Sequence, residues 1–173
     1  VTYQDDENCP KKLFGSSCQC NSSNSSDGSI EYTIKCEQIG TNVTLSNLFQ
    51  EQTFGDGQND TQSIRSLIIS NQNLGQLSEK SIESPLRLFE LEFTNDSIET
   101  ISLSALSNLV DLVKLKINNN PIKSLDLSII SELDQLEKID LIGNNLEWVN
   151  IDIGKSMQVK ELLFGQNYLK NVS

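Results

Sequence analysis

The residues best placed to do chemistry are four cysteines gathered near the start of the chain: Cys9, Cys18, Cys20 and Cys36, in the order C-x8-C-x-C-x15-C. Thiols at such spacings can crosslink or hold a metal. Structural zinc draws on histidine or on paired C-x-x-C knuckles, whereas this chain has no histidine and its one close pair is C-x-C. An even number confined to one end reads instead as two disulfides stapling a terminal cap. Each bridge contributes about 2–4 kcal/mol and implies an oxidising compartment. Four cysteines allow three pairings; Cys18 with Cys20 is the least favourable geometrically, and spacing alone does not choose among the pairings.

Other reactive groupings are weak. Without histidine the chain loses the commonest general base, the Ser/His/Asp triad and most catalytic metal sites. It carries no G-x-S-x-G, P-loop or glycine-rich dinucleotide turn. Glu90 and Glu92 are the nearest approach to paired carboxylates, but on a strand they share an open face with no cleft to raise one pKa. The expectation is a protein that is not an enzyme and uses no cofactor or metal. No D-x-D-x-D-G calcium loop is present, so the acidic excess reads as solubility.

A net charge of −11, with 13 basic residues scattered among 24 acidic ones, argues against nucleic acid and anionic membranes as partners. Six N-x-S/T triplets, at Asn21, Asn24, Asn42, Asn59, Asn95 and Asn171, are candidate glycosylation sites and agree with a secreted address. No apolar run approaches the roughly 20 residues that span a bilayer, so this segment is expected to be soluble, without direct membrane insertion. The chain opens at Val1 without a signal peptide, as a mature or trimmed product would.

The elements that must carry these groups follow from a repeat, LxxLxLxxNxLxx(L/I/V), whose copies start at Ile64, Leu88, Leu112, Leu136 and Val159. Within each copy the apolar residues at positions 4 and 6 alternate as a short strand with one buried face requires. Those at positions 11 and 14 turn the chain away from the strand and back toward the core. One copy buries too little to offset about 1–2 kcal/mol of backbone entropy per residue, so successive copies must stack. Leu67, Leu91, Leu115, Ile139 and Leu162 should form one core column, and Ile69, Phe93, Ile117, Leu141 and Phe164 the next. Position 9 reads Gln72, Asp96, Asn120, Asn144 and Asn167, a column of polar side chains able to satisfy backbone groups of the adjacent turn. Gln72 and Asp96 fit that role least well.

These motifs resemble the extracellular leucine-rich repeat family, specifically its 24-residue typical subclass, over about residues 64–173. The resemblance implies an α/β solenoid: a curved right-handed leucine-rich repeat coil with a parallel concave β-sheet, with Ile82, Leu106, Leu109, Ile130 and Leu133 on the convex side. The cysteines are similar to the N-terminal cap of that family. That likeness implies Cys9 paired with Cys20 and Cys18 with Cys36, although both the first and last gaps are long for such a cap. The division expected is a cysteine cap over 1–38, an irregular first coil with an exposed loop over 39–63, and five repeats over 64–173. Within the cap, residues 30–36 should form a strand and the polar stretch 21–29 a mobile loop.

Neighbouring strands lie about 4.8 Å apart, so charges on the open face should pair between copies: Glu92, Lys116 and Asp140 as an alternating ladder, Glu90 with Lys114, and Lys138 with Glu161. These residues, with Glu137 and the apolar Phe89, Val113, Ile142 and Leu163, are the expected protein-binding surface of a non-catalytic module, either a secreted protein or a receptor ectodomain. A glycan on Asn95 would shield part of it. Toll-like receptors, Slit-type guidance proteins and small leucine-rich proteoglycans share these parts. An accessory subunit that stabilises a secreted enzyme or assembly is the alternative, and a self-associating matrix protein a third. The last copy lacks a cysteine-rich closing cap, so either further coils follow or the uncapped C-terminal coil self-associates.

Overall fold

The computed structural model describes residues 18–37, 62–79, 81–82, 87–128, 132–151 and 158–172. Alternation within each repeat produces the strands of a seven-stranded sheet. Its members, in chain order, are β1 (Cys18–Asn24), β2 (Ile30–Glu37), β3 (Gln62–Ser70), β5 (Arg87–Thr94), β7 (Lys114–Asn118), β9 (Lys138–Asp140) and β11 (Glu161–Leu163). Strand order follows the chain, and every pair but β1–β2 is parallel. The return segments form two smaller parallel sheets. One joins β4 (Gly75–Leu77) to β6 (Ile98–Ile101); the other joins β8 (Ser124–Asp126), β10 (Trp148–Asn150) and β12 (Asn171–Val172). The chain is therefore a parallel β-solenoid. Helix is almost absent among the described residues; a 3-10 turn, η1 (Leu103–Ala105), is one of its few traces.

The register places the expected columns side by side. Ile34, Leu67, Leu91, Leu115, Ile139 and Leu162 are successive partners across the sheet. So are Cys36, Ile69, Phe93 and Ile117. All are buried except Leu162, which is partly buried against the same core, as are Phe164 and Leu169. Ile82, Leu106, Leu109 and Leu133, expected on the convex side, are buried in the same core cluster; Ile130 lies outside the described residues. The cap thus supplies a coil of its own, because Tyr32, Ile34 and Cys36 on β2 extend the columns by one strand.

Within the cap the structure departs from the mobile loop expected over 21–29. Asn21–Asn24 belong to β1, antiparallel to β2 with Asn21 opposite Thr33. Backbone pairing needs no apolar side chain, and the bridge between Cys18 and Cys36, directly opposite in register, aligns the two strands. The turn closes through Ser25 N–H donating to Ser29 O at 2.9 Å and Gly28 N–H to Ser25 O at 3.0 Å. Asp27 Oδ1 accepts from Ser29 Oγ–H at 2.7 Å and from Ser29 N–H at 2.9 Å, which together hold the Asp27 carboxyl below its usual range, and Gly28 takes the φ of +86° that the turn requires. Cys20 is also disulfide-bonded; its expected partner, Cys9, lies outside the described residues, as does nearly all of the irregular coil over 39–63. Replacing Cys18 and Cys36 together by serine should lower stability by about 2–4 kcal/mol. Urea unfolding of the double variant checks this.

Each strand ends the same way. Asn71, Asn95, Asn119, Gly143 and Gln166 occupy position 8 of their copies, all with positive φ between 56° and 75°. Asparagine and glycine tolerate that left-handed conformation best, and it turns the chain into position 9. There the polar column forms a hydrogen-bonded ladder. Gln72 N–H donates to Asp96 Oδ1, Asp96 N–H to Asn120 Oδ1 and Asn120 N–H to Asn144 Oδ1, each at 2.9 Å. Leu146 N–H donates to Asn167 Oδ1 at 3.1 Å. The amides also donate: Asn120 Nδ2 to Asn118 O at 2.9 Å, Asn144 Nδ2 to Ile117 O and Leu141 O at 2.7 Å. Gln72 joins the ladder fully, its Nε2 donating to Ser70 O at 2.9 Å. Asp96 is the faulty rung. It is 0% exposed and its Oδ2 has no hydrogen-bond partner, at the place where the asparagine rungs carry an N–H donor.

Candidate functional site

The outward face of the seven-stranded sheet is made by the side chains that alternate with the core columns. Glu90, Lys114 and Lys138 share one row and lead to Glu161; Glu92, Lys116 and Asp140 share the next and lead to Leu163. All are half-buried except Glu161, which is exposed. Parallel register is what gathers them, since residues 23 or 24 apart in sequence become neighbours across strands.

The pairing of charges matches the expectation in part. Lys116 Nζ reaches Glu92 Oε1 at 2.8 Å, and Lys138 Nζ bonds Glu161 Oε2 and is held above its usual pKa by that bond. Two expected pairs do not form. Glu90 turns toward Arg65, at 3.7 Å, rather than toward Lys114; a guanidinium on the preceding strand competes for the same carboxylate. Asp140 Oδ1 accepts from Ile142 N–H at 3.2 Å instead of meeting Lys116, which Glu92 already holds. Lys114 consequently has no ion pair among the described residues. At the leading end of the strands Glu137 bonds Lys160 at 2.7 Å, a pair that strand-centred reasoning did not foresee although the two residues occupy the same position of successive copies.

Exposed pairs contribute about 0–1 kcal/mol each. Glu92 and Lys116 are the best protected, with side chains 24% and 27% exposed. A double-mutant cycle with Glu92→Gln and Lys116→Met should give a coupling of about 0.5–1 kcal/mol that shrinks in high salt. Thermal unfolding at low and high ionic strength measures it.

The apolar members divide. Ile142 and Leu163 are half-buried on adjacent strands near the far end of the sheet, whereas Phe89 and Val113 sit at the leading end. There Arg87 lies over the Phe89 ring at 5.2 Å and donates to Asp111 at 2.9 Å, which raises its pKa further. Phe89 and Val113 also line a recess of about 420 Å³ with Arg87, Val110, Asp111 and Glu132. Sequence reasoning missed Val110, Glu132 and Asp134 because they precede the repeat frame; the signal was two carboxylates and an exposed valine just ahead of consecutive strands.

Of the sequon asparagines, Asn21 and Asn24 are exposed on β1, and Asn95 is exposed at the strand end, where the next residue is the buried Asp96. Asn171 lies on β12, and Asn42 and Asn59 fall outside the described residues. Among the described residues no group of three or more His, Cys, Asp or Glu is placed to hold a metal, and no helix is long and apolar enough to cross a membrane. Compared with protein-family models and with curated proteins, the chain matches none.

Proposed function

We propose that this chain is a leucine-rich repeat module of the extracellular, disulfide-capped kind, an α/β coil in that family's sense, which binds another protein through the concave face of its sheet and performs no catalysis. One observation carries the reading. A parallel sheet stacked on a shared core presents rows of half-exposed charged and apolar side chains on successive strands. Such rows match a protein surface by shape and charge rather than by transforming a substrate. The Cys18–Cys36 bridge and the sequons on β1 support placement in a secreted protein or receptor ectodomain.

Site-directed photocrosslinking tests this. A photoreactive residue at Lys114, on the open face, should capture a protein partner from extracellular fluid, while the same group at Ser104, on η1, should not. Equal capture at both positions, or none at Lys114, sinks the proposal. A partner retained at constant stoichiometry through purification would assign the chain to an accessory subunit instead of a receptor.

A further inference from the structure

The sheet has largely neutralised its own charges, so the carboxylates still lacking counter-ions identify where charge is available to a partner. Among the described residues Glu79 and Glu99 are exposed without an ion pair, each away from the recess, and so are Glu132 and Asp134, two residues apart. Both line the recess at the leading end of β5 and β7, beside Val110, which is 58% exposed. Large apolar side chains exposed to this degree are few among the described residues, the others being Trp148 and Tyr168.

The recess already shows what it accepts. The chain's own Arg87 rests on Phe89 and is held by Asp111, a cation seated on an aromatic ring and fixed by a carboxylate. Val110, Val113, Glu132 and Asp134 line the same recess, and neither of these two carboxylates forms an ion pair among the described residues. A metal ion is a poor occupant, because these acids do not converge as a ligand set and the valines reward an apolar contact.

Building on the protein-binding reading above, we propose that this recess docks a basic segment of the partner, with a Lys or Arg meeting Glu132 and Asp134 and an adjacent aliphatic or aromatic side chain covering Val110 and Val113. Unanswered carboxylates beside exposed apolar surface favour such a segment and repel an acidic one. The interface then includes the leading rim of the strands, where Arg87 lies over Phe89.

Random peptides displayed on phage and selected against the intact chain test this, alongside three variants checked for unchanged melting: E132K/D134K, Lys114→Glu on the sheet face, and the control Glu99→Lys on β6. The expected consensus places Lys or Arg next to an aliphatic or aromatic residue. A synthetic peptide of that consensus should lose at least tenfold in affinity on E132K/D134K and change less than twofold on Glu99→Lys, an exposed carboxylate on β6 away from the open face. An acidic or uncharged consensus overturns the proposal. Loss of binding on Lys114→Glu with E132K/D134K unaffected also overturns it, while leaving the protein-binding reading standing. No enrichment on any variant counts against both.

Discussion

Replacing Asn120 by alanine should lower the unfolding free energy by about 3–5 kcal/mol, because the side chain serves three buried backbone groups and unsatisfied buried polar groups cost about 1–3 kcal/mol each. Its Oδ1 accepts from Asp96 N–H at 2.9 Å and from Ile98 N–H at 3.1 Å, while Nδ2 donates to Asn118 O at 2.9 Å. Asn120 is 3% exposed and Ile98 is 0% exposed, so water cannot easily replace what is lost. The midpoint of denaturant unfolding should fall, and amide hydrogen exchange at Asp96 and Ile98 should speed up selectively. A loss under about 1 kcal/mol would show that this ladder is not a structural support.

The opposite change is expected one rung earlier. Asp96→Asn should stabilise the protein at neutral and alkaline pH by roughly 2–4 kcal/mol, the worth of a shift of this size discounted for partial solvent screening. Burial without a partner for Oδ2 pushes the Asp96 carboxyl from its usual 3.8 up to about 7; the Gln72 N–H bond opposes this and the nearby Glu92 charge adds to it. Between about pH 4 and 7 the unfolded chain is therefore ionised at this residue while the folded rung keeps its proton. The folded state binds more protons than the unfolded state, so this contribution to stability is complete below pH 4, falls as pH rises and levels off above about 7. Asparagine removes that dependence. By the geometry of Asn120, whose Nδ2 donates two residues back, an amide at position 96 supplies an N–H to Thr94 O. Melting temperatures of the two proteins from pH 4 to 8 should converge at the acid end and separate with rising pH. Parallel curves would exclude a titrating Asp96 as the cause.

Both predictions concern a column visible in the sequence as Gln72, Asp96, Asn120, Asn144 and Asn167. Its structural role was legible because a fixed period stacks equal positions, and a turning backbone leaves groups that only polar side chains can satisfy. The left-handed column ahead of it was equally open to reading, since Asn71, Asn95, Asn119 and Gly143 are the residue types that tolerate positive φ. The strand at Asn21–Asn24 was hidden, because its polar side chains give no hint of pairing that the backbone alone carries out.

Periodicity by itself determined which residues share a row: the core columns from Leu67 and Ile69, the ladder, and the charged rows of the open face. A repeat of nearly constant length leaves one register in which the apolar residues at positions 4 and 6 of successive copies stack against one another. Tertiary structure alone decided how each side chain spends its contacts. Glu90 has cationic neighbours on either side and takes Arg65; Asp140 turns to a backbone N–H; Glu132 and Asp134, beside Val110, form no ion pair among the described residues; and burial pushes the Asp96 carboxyl up to about 7. Register follows from spacing along the chain, whereas partner choice and desolvation depend on distances between atoms that only the folded coil brings together.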